Sequence, residues 1–108
     1  MVEVDKMPRF FVFYKLSIEK PKDITIDYKN FIFEYLVKET FNYDGSTLYN
    51  LFEDEDKITL YCFIIPKDKN EVEEFEGRIK HEFEIEDKRE FKKTEDFENY
   101  IFELAKTF

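Results

Sequence analysis

Only two glycines, Gly45 and Gly77, and one cysteine, Cys62, occur in this 108-residue chain. Two isolated glycines build neither a phosphate-cradling loop nor a dinucleotide fingerprint, because each needs several glycines at fixed spacing. A lone thiol forms no internal disulfide, so a reducing, cytoplasmic setting is the expectation. His81 is the sole histidine, and a zinc set needs more imidazoles or a cysteine cluster. Charges interrupt every apolar run, which excludes a membrane-spanning helix. Residues 1–8 carry no apolar core of a signal peptide and read as a lead-in to one domain over 9–108. Positive charge is also short: 17 Lys and Arg stand against 26 Asp and Glu, a net charge of −9. That balance opposes nonspecific binding to nucleic acid and to anionic membranes. It favours attraction to a basic protein surface.

What the chain does hold is rings. Fourteen Phe and seven Tyr make it 19% aromatic, and each ring buries a large area. A chain of this length builds one core without disulfides. A bias to Phe, Ile, Lys, Asn and Tyr, with alanine only at Ala105, fits an AT-rich genome, as in many phages, archaeal viruses and low-GC microbes.

The pattern Phe10, Val12, Tyr14, Leu16, Ile18 predicts a strand over 9–18, with Phe11 and Phe13 on its other face. Apolar residues on both faces mark a central strand. Residues 24–41 fit a helix from about Asp27 with Tyr28, Phe31, Ile32, Tyr35 and Leu36 on one side. They also fit two strands around Lys29-Asn30, and length without a breaker favours the helix. Asp44-Gly45 signals a turn. Thr47–Glu53 and Lys57–Ile65 then read as an antiparallel hairpin ended by Pro66. In its second strand Ile58, Leu60, Cys62 and Ile64 share a face, opposite Tyr61 and Phe63. Residues 70–92 satisfy both helical and alternating periods. The compromise is a helix over 70–81 capped by Asn70, then a strand within 83–92. Glu95–Lys106 predicts an amphipathic helix with Thr94 as cap and Phe97, Tyr100, Ile101 and Leu104 inward.

The resulting order, β-α-β-β-α-β-α, is that of an α+β, ferredoxin-like split βαβ sandwich with an antiparallel sheet and an added C-terminal helix. Two helices then cover one sheet face. Phe11, Phe13, Tyr61 and Phe63 line the other, where the C-terminal helix or a second subunit of a homodimer must shelter them.

Several constellations bear on chemistry. Tyr61-Cys62-Phe63-Ile64 resembles a fragment of the strand motif of RNA-recognition domains, with Leu60 where that motif has glycine and Thr59 where it has a basic residue. The resemblance implies bases stacking on the four rings, a single-stranded nucleic-acid reading that the charge opposes. Glu53 to Asp56 is the densest acidic run, but adjacent residues in a hairpin diverge, so a solvated turn is expected rather than a metal site. A second acidic region spans α-helical and strand positions: Glu73, Glu76, Glu84, Glu86 and Asp87. Spacing puts Glu73 beside Glu76, with Lys80 one turn onward as partner. A Cys62–His81 nucleophile–base pair is disfavoured, since a core-facing thiol is inert. No catalytic residue, cofactor or metal is expected. The preferred function is a non-enzymatic acidic module docking on a basic, nucleic-acid-binding protein, in one form a virus- or mobile-element-encoded inhibitor. A carboxylate- and metal-dependent hydrolase ranks last.

Overall fold

A computed structural model describes residues 10–22, 26–48 and 52–107. The lead-in expected over residues 1–8 lies outside them. Eight elements follow in order: β1 (Phe11–Glu19), α1 (Ile26–Phe41), β2 (Ser46–Thr47), β3 (Phe52–Glu53), β4 (Lys57–Ile64), α2 (Lys69–Ile79), β5 (Glu84–Phe91) and α3 (Thr94–Ala105). The fold is α+β. Its antiparallel sheet runs β2-β4-β1-β5, and β3 also pairs with β4.

β1 is central, as its two apolar faces require. Val12, Tyr14 and Leu16 are sealed from solvent on one face, and Phe13 is sealed on the other. β4 pairs with β1 from Val12 opposite Ile64 to Glu19 opposite Lys57. Its residues Ile58, Leu60, Cys62 and Ile64 join Val12, Tyr14 and Leu16 in one core. Ile32 and Leu36 of α1, and Val72, Phe75 and Ile79 of α2, close this core from above. β5 flanks β1 on its other side. A bulge interrupts that ladder, because Lys15 faces Asp87 but Leu16 faces Ile85, leaving Glu86 as the extra residue.

Residues 26–41 form a helix and not two strands. Its inward stripe is narrower than the pattern suggests: Ile32, Leu36 and Thr40 are buried at successive i+4 steps, whereas Phe31 is 61% exposed. One residue is a 100° rotation, enough to turn Phe31 away from the sheet. Thr40 is buried at no cost in unpaired groups, since its Oγ1 donates to the Leu36 carbonyl at 3.0 Å. The helix ends through Asp44, in the left-handed region at φ 58°. Gly45 follows because a Cβ there would sit 1.9 Å from the Phe63 carbonyl oxygen.

The strand expected over Thr47–Glu53 is two short segments on the same edge of β4. Ser46 and Thr47 face Phe63 and Cys62, while Phe52 and Glu53 face Thr59 and Ile58. The hairpin after it is tight, with Asp54 N donating to the Lys57 carbonyl at 2.8 Å around Glu55 and Asp56.

Both expected helix caps shift by a residue or two. Asp68, not Asn70, caps α2, accepting from Glu71 N at 3.0 Å, while Glu71 Oε1 reaches back to Lys67 N at 2.9 Å. Lys93 occupies the α3 cap position without a side-chain bond, and Thr94 lies inside the first turn. Glu95 and Asp96 there oppose the positive helix end.

Candidate functional site

The four aromatic residues singled out on the second face lie together beneath α3. Phe97 stacks on Phe11 at 4.4 Å and meets Phe63 edge-on at 4.9 Å. Tyr100 meets Phe13 edge-on at 5.1 Å, and Phe13 stacks with Tyr61 at 5.9 Å. Phe91 of β5 touches both helix rings. The shelter is therefore the chain's own C-terminal helix. Phe13 retains 2% of its exposure, so stacking a base on it requires α3 to leave.

The acidic residues divide into those tied into the fold and those turned outward. Glu76 is tied: its Oε2 accepts from the Tyr14 hydroxyl at 2.8 Å and pairs with Lys88 at 2.6 Å. Its partner is thus Lys88 on β5, not Lys80, because α2 rests on the sheet with Glu76 directed at β1 and β5. Burial foremost, then this bond, raises the Tyr14 phenol far above its ordinary value. Glu74 next to it accepts from the Tyr43 hydroxyl at 2.6 Å, and burial and that bond push Tyr43 up to about 12. Glu86 accepts from Ser17 Oγ at 2.8 Å and pairs with Lys57 at 2.7 Å. Those hydrogen bonds, Lys57 first, hold its carboxyl below the ordinary range. Asp87 pairs with Arg89, which also lies over the Tyr100 ring. Glu73 and Glu84 are exposed, and Glu84 adds, after Glu86, to the negative charge that raises the Lys57 ammonium pKa. Together, α2 and the edge strand β5 make an anionic arm. Residues 68–90 hold ten carboxylates against five Lys and Arg.

A cleft of about 720 Å³ opens at one end of the sheet. Its walls are the end of β1 (residues 17–20), the β3–β4 turn (55–57) and the α2–β5 turn (80–84). The linear pattern did not reveal it, because its walls are 35 or more positions apart from first to second and meet only through the strand register. The one signal was the acidic run at residues 53–56. Glu53 leaves that run to bind Lys20 and Lys29, which lowers its carboxyl pKa, with the Lys29 bond the main cause. Glu55 and Asp56 reach the cleft.

Catalytic pairings fare differently. Cys62 is fully enclosed, and burial raises its thiol far above the ordinary value. His81 is exposed in the α2–β5 turn and lines the cleft, which Cys62 does not reach. Among the described residues no three His, Cys, Asp or Glu are grouped to hold a metal ion, and no helix is long and apolar enough to cross a membrane. No protein-family profile, curated protein or solved structure matches this chain.

Proposed function

We propose that this protein is a small, non-enzymatic acidic module that docks on a basic, nucleic-acid-binding protein surface, with a virus- or mobile-element-encoded inhibitor as its concrete form. The anionic arm carries this reading. Its carboxylates stand on a helix and an edge strand whose residues are exposed at six of eight positions. A rigid array of negative charge speeds encounter with a positive surface and offers what a phosphate row offers. The opposite aromatic face is engaged by α3, whereas the charged arm is open to solvent. A cytoplasmic setting suits the single, enclosed thiol.

The ferredoxin-like assignment belongs to the same proposal. It is supported by the order β2-β4-β1-β5, in which β4 separates the strands joined by α1 and β1 separates those joined by α2. That is a pair of split βαβ units, with α3 added after them.

The test is competition. A lysine-rich DNA-binding protein is mixed with labelled duplex DNA, and this protein is titrated in. Displacement of the DNA, weakened by rising salt and by the triple variant Glu73→Lys, Glu84→Lys, Asp87→Lys, is the expected result. No displacement at low salt against a panel of such proteins would sink the reading.

A further inference from the structure

We propose that the outer face of α1 binds the same face of a second copy of this chain, running antiparallel, to form a homodimer. The pairing uses no residue of the anionic arm, so it stands or falls apart from the acidic-module reading.

α1 has two working faces. Ile32, Leu36 and Thr40 bury one of them against the sheet. At about 100° per residue, Asp27, Phe31, Glu34, Lys38 and Phe41 share the opposite face. All five are exposed. Phe31 and Phe41 keep 61% and 75% of their surface open, and Val37 beside them keeps 38%. Of the four large apolar residues exposed among the described residues, these three are on α1. Single exposed apolar residues are ordinary, but a group on one helix face marks a contact surface.

The spacing says what fits there. Steps of four, three, four and three from Asp27 to Phe41 are those of a coiled-coil seam. Two such seams, antiparallel about an axis level with Leu36, set Phe31 on Phe41 of the second copy. The same register sets Glu34 on Lys38 of the second copy. The two-fold axis makes each contact twice, and Val37, next to that axis, reaches its own counterpart.

The charges select this arrangement over its rivals. Parallel helices would set Glu34 on Glu34 and Lys38 on Lys38. Sliding the antiparallel pair by one turn would centre it on Glu34 or on Lys38, again opposing like charges. A seam that answers its own rings and charges in one register is complementary to a second copy of itself. The net charge of −9 opposes self-association. On α1 that repulsion is small, since Asp27, Glu34 and Glu39 stand against Lys29 and Lys38. One helix pair is less than a standard interface, so the dimer is weak and reversible.

Sedimentation velocity at low salt, over a concentration series reaching the millimolar range, tests the pairing. Wild-type protein is expected to pass from monomer to dimer as concentration rises. Phe31→Ser should weaken the dimer about a hundredfold, because two ring contacts go. Glu34→Lys and Lys38→Glu should each weaken it about tenfold, because both cross-pairs become repulsive. An equimolar mixture of those two charge variants should regain wild-type affinity, since each supplies the charge the other needs. The three altered side chains are exposed, so the fold is kept, which circular dichroism verifies. Recovery on mixing also excludes a folding defect as the cause. A wild-type monomer at every concentration overturns the proposal and leaves the face to a partner of other chemistry. A dimer untouched by the substitutions, or a mixture without recovery, overturns the α1 pairing as well.

Discussion

β4 and β5 are both eight residues long and both pair antiparallel with β1, yet they share almost no chemistry. β4 has strands on both sides, helices α1 and α2 over one face and aromatic residues on the other, so its alternate residues Ile58, Leu60, Cys62 and Ile64 are sealed. β5 has β1 on one side and, among the described residues, no strand on the other. Its sequence Glu84-Ile-Glu-Asp-Lys-Arg-Glu-Phe91 answers that position. Charged side chains and a bulge at Glu86 discourage another chain from adding a strand. The difference teaches that pairing with the same central strand leaves one neighbour as core and frees the other for electrostatics.

Substitutions break or sharpen that comparison, and the largest effect belongs to β4. Leu60→Ala should cost about 3–4 kcal/mol in urea unfolding, against about 1 kcal/mol for Ile85→Ala on β5. Equal losses would erase the distinction between core and edge. On the aromatic face, Phe97→Ala should cost about 3 kcal/mol and raise binding of a hydrophobic dye, since Phe11, Phe63 and Phe91 all rest on that ring. Unchanged dye binding would mean α3 is held by other contacts.

Smaller effects come from single hydrogen-bonded side chains that tie neighbouring elements together. Tyr14→Phe should cost about 1 kcal/mol at neutral pH, because Glu76 loses a donor but keeps Lys88. Tyrosine protonation also shapes the alkaline limb. Tyr43 rises from 10.0 to about 12 on folding, so its stabilisation is complete below pH 10 and is lost as pH climbs through about 12. Tyr43→Phe should flatten that limb, and an unaltered alkaline midpoint would count against the Glu74 bond. The smallest effect lies at the acid end. Glu86 titrates below its ordinary value of 4.5 in the fold, so its contribution is present above that pH and fades as pH falls through the lowered value. Glu86→Gln should flatten the acid limb slightly, the carboxylate being largely solvated.

Much of the scaffold was readable from spacing alone. Alternation in residues 58–64 and two-sided apolarity in residues 10–18 placed β4 and β1 in the middle of the sheet. Helical spacing of Val72, Phe75 and Ile79 fitted α2 alongside an alternating period, and spacing grouped Phe97 and Tyr100 on one face of α3 without deciding whether that helix or a second subunit covers the aromatic face. The misreadings arise where a neighbour decides. Phe31 fits an inward stripe by number, but the sheet meets α1 along Ile32, Leu36 and Thr40. Residues 47–53 look like one strand, yet they meet β4 as two short segments. Glu76 looks like part of a free acidic row until Tyr14 and Lys88 are brought against it.

By itself, the sequence determined the strands over residues 10–18 and 57–64, the C-terminal helix, and an anionic, aromatic-rich composition, because periodicity and charge are local properties of a chain. Tertiary structure alone decided which rings α3 shelters, which carboxylates are tied down and which converge on a cleft. Those outcomes depend on strand register and on the bulge at Glu86, which bring residues near positions 18, 56 and 82 to one end of the sheet. Hydrogen-bonded register is set by the sum of all packing across the sheet, and no short window of residues contains that sum.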